Sequence, residues 1–301
     1  MGISNTLPCA VALLAIGPAL AQPAAIPHLE KRGSTTQLIV DGRPFLMLAG
    51  ELTNSASSSL EYLAPYWSKL AGANLNTVLA AVSWELIEPE PGTFDFALVD
   101  GMIREARRHR LRLVLLWFGS WKNGVSTYTP LWVKRDSQQF PLFLAENGQR
   151  LTYLSVFHDV NWKADARAFA ALMRHIREVD GDAHTVIMMQ VENEVGCPGG
   201  TRDHSPAANA AFDAPVPPQL LDYMVRNREG LIPEFRKQWE SAGGKTSGSW
   251  QEVFGKEPVS NEIFMAWNYA VYVDQVAKAG KAEYAFSAMR MPISRTRRLT
   301  L

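Results

Sequence analysis

Apolar and polar positions change rhythm repeatedly between residues 37 and 196. Short, mostly apolar β-prone runs are each followed by a longer run in which apolar residues recur every three to four positions. That alternation predicts parallel strands with covering helices, the βαβα order of an α/β fold. Residues 44–50 (PFLMLAG) follow an Asp41-Gly42 turn and read as the first strand. A helix is expected over 60–73, with Leu60, Leu63, Tyr66, Trp67 and Leu70 on one face. The second strand is expected over 76–84. The next helix spans 96–110, with Leu98, Met102, Ile103 and Ala106 inward. Residues 112–121 (RLVLLWFGSW) are apolar on both faces, as a buried parallel strand is. An amphipathic helix over 161–180 turns Phe169, Leu172, Met173 and Ile176 to the core. The fourth strand, 185–195 (TVIMMQVENEV), begins apolar and turns polar at its C-terminal end.

The connection over 122–161 is long enough to be functional or lid-like. After Gly196 the pattern changes. Residues 197–218 read as a loop, 220–240 as helical, 241–249 as a Gly/Ser connection and 261–283 as a long helix. A fifth strand is expected just beyond Tyr284. Residues 285–301 instead carry four arginines and no clear period. The fold class expected is α/β, of the (β/α)8 TIM-barrel type, incomplete, with about four to five of the eight βα units present. The expected divisions are a signal peptide over 1–21, an N-terminal segment over 22–36, a partial barrel over 37–284 and an aberrant or disordered tail over 285–301.

Composition narrows the partners. A chain of 301 residues, 47% hydrophobic, is ample for one large domain or two small ones. Zero formal net charge leaves no basic footprint for nucleic acid or an anionic membrane surface. Residues 8–20 are apolar but too short for a bilayer span of about 20 residues. They run into Ala19-Leu20-Ala21, the small-x-small pattern of a signal-peptide cleavage site. The expectation is a secreted or periplasmic protein with no stable membrane insertion after cleavage; a buried core helix is the other reading. Cys9 would leave with the signal, so Cys197 would have no disulfide partner and no thiolate zinc site could form.

Three strands end in residues suited to a sugar: Ser83-Trp84-Glu85, Gly119-Ser120-Trp121-Lys122-Asn123 and Glu192-Asn193-Glu194. Barrel enzymes carry their reacting groups at this C-terminal face. Tryptophan faces stack on pyranose faces, while amides and carboxylates take up hydroxyls. Glycoside cleavage needs two carboxyl groups flanking the scissile bond, about 5 Å apart with retention and about 6.5–9.5 Å with inversion. Glu192 and Glu194, two apart on a strand, would point the same way, roughly 6.6 Å apart. They make a poor catalytic pair, because both approach from one side. One is a candidate acid/base, and the partner must come from another strand. Salt-bridged strand-end carboxylates are the plainer alternative. Glu51 and Asn54, after the first strand, are candidate sugar contacts. Glu88 reads as a loop tie to an arginine, and His158 and His184 as structural. No HExxH, paired His/Cys spacing, phosphate loop or nucleophile elbow appears.

Gln190-Val191-Glu192-Asn193-Glu194-Val195-Gly196 resembles the strand-four motif of glycoside hydrolase family 35, the β-galactosidases of a large barrel clan. Asp41-Gly42-Arg43-Pro44-Phe45 followed by Gly50 is similar to that family's opening strand. Trp84, Glu88-Pro89, Pro91-Gly92 and Phe94-Asp95-Phe96 are similar to its strand-two signature, and Pro130-Leu131-Trp132 to a step after strand three. The resemblance spans about 37–196. It implies Glu194 as general acid/base, protonated at rest through burial and the nucleophile's charge, and Asn193 as the partner of the sugar 2-hydroxyl. It also places Trp84, Gly119, Ser120 and Trp121 at the sugar pocket. Many family members have a carboxylate at Ser120 and a tyrosine at Ala81. These departures, with the Trp121-Lys122-Asn123-Gly124 run, point to a subgroup acting on a different galactoside, such as plant cell-wall polysaccharide.

The implied activity is retaining hydrolysis of terminal β-D-galactosyl residues, with a β-galactoside oligo- or polysaccharide as partner. It requires no cofactor and no metal. The family's nucleophile is a glutamate at the end of strand seven and is expected beyond Leu301. Glu234, Glu240, Glu252, Glu257 and Glu262 lie on predicted helices or loops and do not suit the role. The chain alone is therefore expected to be catalytically impaired. The alternatives are a non-catalytic or vestigial carbohydrate-binding protein and a related β-glycosidase of the same clan.

Overall fold

The computed structural model describes residues 25–285 and the backbone of 288–290. The expected signal peptide lies outside the described residues. The chain opens with a small antiparallel sheet of β1 (His28–Arg32), β2 (Thr35–Val40) and β3 (Arg43–Pro44), in that order. This sheet crosses the expected division between 36 and 37. The Asp41-Gly42 turn joins β2 to β3 with both residues at positive φ.

The βα alternation then follows. β4 (Ala49–Glu51) leads to α1 (Leu60–Gly72), and β5 (Thr77–Ser83) to the short α2 (Trp84–Ile87) and then α3 (Ala97–Arg108). β6 (Arg112–Phe118) is followed by α4 (Leu131–Arg135) and an antiparallel hairpin of β7 (Leu142–Leu144) and β8 (Arg150–Leu154). α5 (Asp159–Asp180) returns the chain to β9 (Val186–Val191). Four shorter helices come next: α6 (Pro206–Asp213), α7 (Pro218–Arg226), α8 (Pro233–Ser241) and α9 (Trp250–Phe254). The long α10 (Val259–Glu283) precedes β10 (Ala288–Arg290). The parallel sheet has the order β10-β9-β6-β5-β4.

The sheet is apolar on both faces because each is covered. On one, Val78, Ala80, Val82, Leu113, Leu115, Trp117, Met189 and Val191 pack with the helices. On the other, Ala81, Val114, Leu116, Phe118, Ile187 and Met188 receive Leu38 and Val40 of β2. Burying each large aliphatic or aromatic side chain contributes about 1.5–3 kcal/mol. α10 lies along α5, and both contribute buried side chains to the larger core. His184 is buried and structural, its Nδ1 2.9 Å from Asp41 Oδ1. Asp41 also accepts from Arg112 at 2.6 Å.

Several expectations need correction. Residues 44–50 are not one strand: Arg43–Pro44 pair in the small sheet and only Ala49–Glu51 join the large one. Leu46 and Leu48 between them are exposed, so apolarity there did not mark a buried strand. The connection over 122–161 contains α4 and the β7–β8 hairpin, and 197–218 contains α6. The helix expected over 220–240 is two helices, with a 3-10 turn at Arg228–Gly230 between them. Pro233 opens the second, where its missing N–H costs no helical bond. The fourth strand stops at Val191 rather than 195. Finally, Ala288–Arg290 pair in parallel with Met189–Val191, so part of the expected tail is the fifth strand of the sheet.

Candidate active site

The site grows from the way β9 ends. Beyond Val191 the backbone leaves the strand, and Glu192 (φ 62°) and Glu194 (φ 49°) both sit in the left-handed region. A non-glycine residue there costs about 1–3 kcal/mol and persists only where its surroundings hold it. Contacts with the end of β6 hold Glu192. Its Oε1 accepts from the Ser120 N–H at 3.1 Å and its Oε2 from the Trp121 N–H at 2.8 Å. Glu192 and Glu194 are therefore not two residues of one strand face. Glu192 is fully buried, whereas the Glu194 side chain is 44% exposed.

Beneath Glu192 lies Asp165 of α5, also fully buried. Asp165 accepts from Trp117 Nε1 at 2.8 Å, from the Ser120 N–H at 2.9 Å and from Ser120 Oγ at 2.6 Å. Ser120 Oγ is in turn 2.7 Å from the Tyr272 hydroxyl of α10. Burial pushes the Glu192 carboxyl well above the usual glutamate range. The charge of Asp165 and a hydrogen bond to it add to that effect, while the Trp121 and Ser120 N–H groups oppose it without reversing it. Two carboxyl groups in contact in a dry interior cannot both ionise, so the pair holds a proton. Burial also pushes the Tyr272 phenol well up.

Above this floor, Asn193, itself buried at 2% exposure, and the half-exposed Glu194 meet Lys122. Lys122 Nζ donates to Asn193 Oδ1 at 2.6 Å and to Glu194 Oε2 at 3.2 Å. Its side chain is 8% exposed, with the ammonium 5.0 Å from the Phe118 ring centroid. The Glu194 side chain, expected to be buried, is half-exposed beside a cation; burial acts on Glu192 instead.

The remaining expected site residues separate. Trp84 is fully buried, its Nε1 donates to Glu88 Oε2 at 2.9 Å, and its ring meets Trp132 edge-on. Trp121 is fully buried between Tyr269 and Tyr272, with ring centroids 5.5 and 4.6 Å away. Neither indole offers a face to a sugar, which corrects that expectation: their faces pack the core. Gly119 and Ser120 are buried in the floor and support the site rather than line it. Glu51 is exposed at the end of β4. Asn54 lines a cavity of about 210 Å³ with Ser55, Ser83, Glu85 and Tyr128; Asn193 and Glu194 are not among its lining residues. Glu88 is the loop tie expected, accepting from the Gly92 N–H at 2.7 Å and from Arg167 at 2.6 Å.

Asp165 and Tyr272 carry parts of the arrangement that the sequence reading gave no role, and Lys122 entered it only as one member of a strand end. Asp165 had a signal: it precedes Phe169, Leu172 and Ile176 by four, seven and eleven positions, a charge on the apolar face of a helix. Among the described residues no group of three or more His, Cys, Asp or Glu is placed to hold a metal ion. None of their helices is long and apolar enough to cross a membrane.

The chain thus has a parallel βα sheet of barrel type, with an Asn-Glu pair just beyond the end of its fourth βα strand, and its class, glycoside hydrolase, follows from the family it matches. Residues 63–270 match the family 42 model, described as β-galactosidase, and the chain belongs to that family. The resemblance to family 35 is thereby corrected. Its motifs, including an Asn-Glu pair shared across the clan, drew only on residues up to 196, whereas the match to family 42 extends to 270. A β-galactosidase from Xanthomonas manihotis is 29% identical over 195 residues, 61% of this chain and 29% of that protein. The fold is similar to that of the β-galactosidase from Rahnella sp. R3, with a TM-score of 0.53 and 16% identity over 81% of this chain and 35% of that one. It is similar also to the β-galactosidase from the haloarchaeon Halorubrum lacusprofundi, with a TM-score of 0.53 and 19% identity over 80% of this chain and 35% of that one. The chain thus spans between 29% and 35% of the length of these relatives.

Proposed function

We propose that this chain carries the acid/base half of a β-galactoside-hydrolysing site, with Glu194 as proton donor and Asn193 as the anchor of the sugar 2-hydroxyl. The observation that carries the reading is the turn at the end of β9. It sends Glu192 into the core and leaves the next carboxylate, Glu194, at the C-terminal rim beside Asn193. In a double displacement, Glu194 would protonate the leaving oxygen and later activate water. The nucleophile is expected outside the described residues, and turnover by the 301-residue chain alone is expected to be impaired. Export to the periplasm or the exterior is part of the same proposal, resting on residues 1–21. The relatives' named activity supports β-galactosides as the substrate class.

A second reading, sugar binding without turnover, is favoured by the Lys122–Glu194 ion pair, which engages the proposed proton donor. Hydrolysis of an aryl β-galactoside by the purified chain separates the two. Turnover abolished by Glu194→Gln would establish the acid/base and overturn the expected impairment. Galactoside binding without turnover, weakened by Asn193→Ala, supports the half-site. Neither turnover nor binding would sink both readings.

A further inference from the structure

We propose that Lys122 is a positioning residue of this site: its ammonium fixes the orientation of the Asn193 amide and restrains the Glu194 carboxylate. The proposal rests on the reading of Asn193 and Glu194 given above.

The Trp121-Lys122-Asn123-Gly124 run explains how a lysine comes to be held here. Lys122 and Val125 exchange both backbone hydrogen bonds, Lys122 N to Val125 O at 2.9 Å and Val125 N to Lys122 O at 3.1 Å. Asn123 (φ 56°) and Gly124 (φ 72°) are both left-handed. That is a type I′ turn, which Asn-Gly favours because both central residues need positive φ. A Cβ on Gly124 would come within 2.5 Å of Pro198 Cγ, so the turn is seated against the segment that follows Glu194. On the other side, Trp121 is locked between two tyrosines. The lysine therefore projects from a turn fixed at both ends. Its stem is buried and its head lies over the Phe118 ring.

The chemistry of the contact decides the orientation of the amide. A lysine ammonium has donors and no acceptor. The Asn193 atom facing it at 2.6 Å must be the carbonyl oxygen. The amide nitrogen is then directed away from Lys122 and presents its N–H donors, which the oxygen of a sugar hydroxyl can accept. Without Lys122 the amide could rotate and present either end, and Glu194 would lose its restraint.

The test uses the purified chain with isopropyl β-D-thiogalactoside and its 2-deoxy analogue, which resist hydrolysis. Calorimetric affinities are measured for wild type, Lys122→Met, Asn193→Ala and the double variant. Each single change should weaken binding of the parent thiogalactoside about tenfold, a hydrogen bond's worth. The double variant should be no weaker than Asn193→Ala, and Lys122→Met should leave the 2-deoxy analogue unaffected. Lys122→Arg, which retains a donor-only cation, should restore part of the affinity. Equal losses for the two ligands, or additive losses in the double variant, would show general loosening of the fold and overturn the proposal. A second measurement needs no ligand. The ¹⁵N ammonium resonance of Lys122, narrowed by slow proton exchange, should broaden when both of its acceptors are removed, in Asn193→Ala/Glu194→Ala. If it does not, the clamp is absent and the inference falls while the galactoside reading stands. If the clamp is present but wild type binds no thiogalactoside, the galactosidase reading falls and takes the role of Lys122 with it.

Discussion

Glu192 and Asp165 accept from the same Ser120 N–H, at 3.1 and 2.9 Å, in the closed interior beneath the end of β6, where neither carboxyl is exposed to solvent. The pair couples β9 to α5, and through the Ser120 and Trp121 N–H groups it holds the segment that becomes the Lys122 turn. Its proton has a consequence for stability. The Glu192 carboxyl is raised above its ordinary value of 4.5 chiefly by burial. The folded state therefore binds a proton that the unfolded chain has released. The associated stability is fully present below the unfolded value and is lost as pH rises towards the folded one. One proton corresponds to about 1.4 kcal/mol per pH unit. Urea denaturation of wild type from pH 5 to 8 should show this decline, and Glu192→Gln, which mimics the protonated group, should flatten it. Identical pH slopes in the two proteins would rule the pair out as the cause.

Gly119 makes the meeting of the two carboxyls possible. A Cβ at this position would come within 2.5 Å of Glu192 Oε1 and 2.7 Å of Asp165 Oδ1. These are the ends of fully buried side chains, each oxygen already holding a donor. Gly119→Ala should destabilise the fold by about 1–3 kcal/mol through overpacking. It should also break the backbone bonds from Ser120 and Trp121 to Glu192. Measured by urea denaturation, a loss below about 0.5 kcal/mol, the range of an ordinary surface change, would contradict this packing argument.

The regular parts of this fold were legible because period and burial coincide. The runs that became β5, β6 and β9 are apolar on both faces, and the helices between them bury the predicted stripes. Legibility fails where the backbone stops being regular. Alternation along 185–195 placed Glu192 and Glu194 on one face, but two left-handed residues end that alternation. Residue type also does not report whether an aromatic face is free. Trp84 and Trp121 suit a sugar platform equally well on paper, and both are buried in the core. The Lys122–Asn193 contact joins positions 71 residues apart, which no local pattern records. The three-residue β10 lies among arginines, and its parallel partner β9 decides its place.

Trp84 offers the sharpest contrast between what its sequence context suggests and what its surroundings permit. Its Nε1 donates to Glu88 Oε2, and Glu88 also holds the Gly92 N–H and Arg167. The unit ties α2 and the following turn to α5. In Trp84→Phe the Glu88 carboxylate loses one donor and the core loses part of a ring, at about 1–2 kcal/mol. In Glu88→Ala the buried Trp84 Nε1 loses its acceptor, while the Gly92 N–H, on an exposed residue, turns to water, at about 1–3 kcal/mol in all. Arg167 adds little to that figure, because its side chain is 51% exposed and water replaces the partner. Both variants, once folded, should bind isopropyl β-D-thiogalactoside as wild type does. Denaturation midpoints and calorimetric affinities on the same samples decide the matter. A tenfold loss of affinity in Trp84→Phe at unchanged stability would mean that this indole faces the ligand, and would refute its assignment to the core.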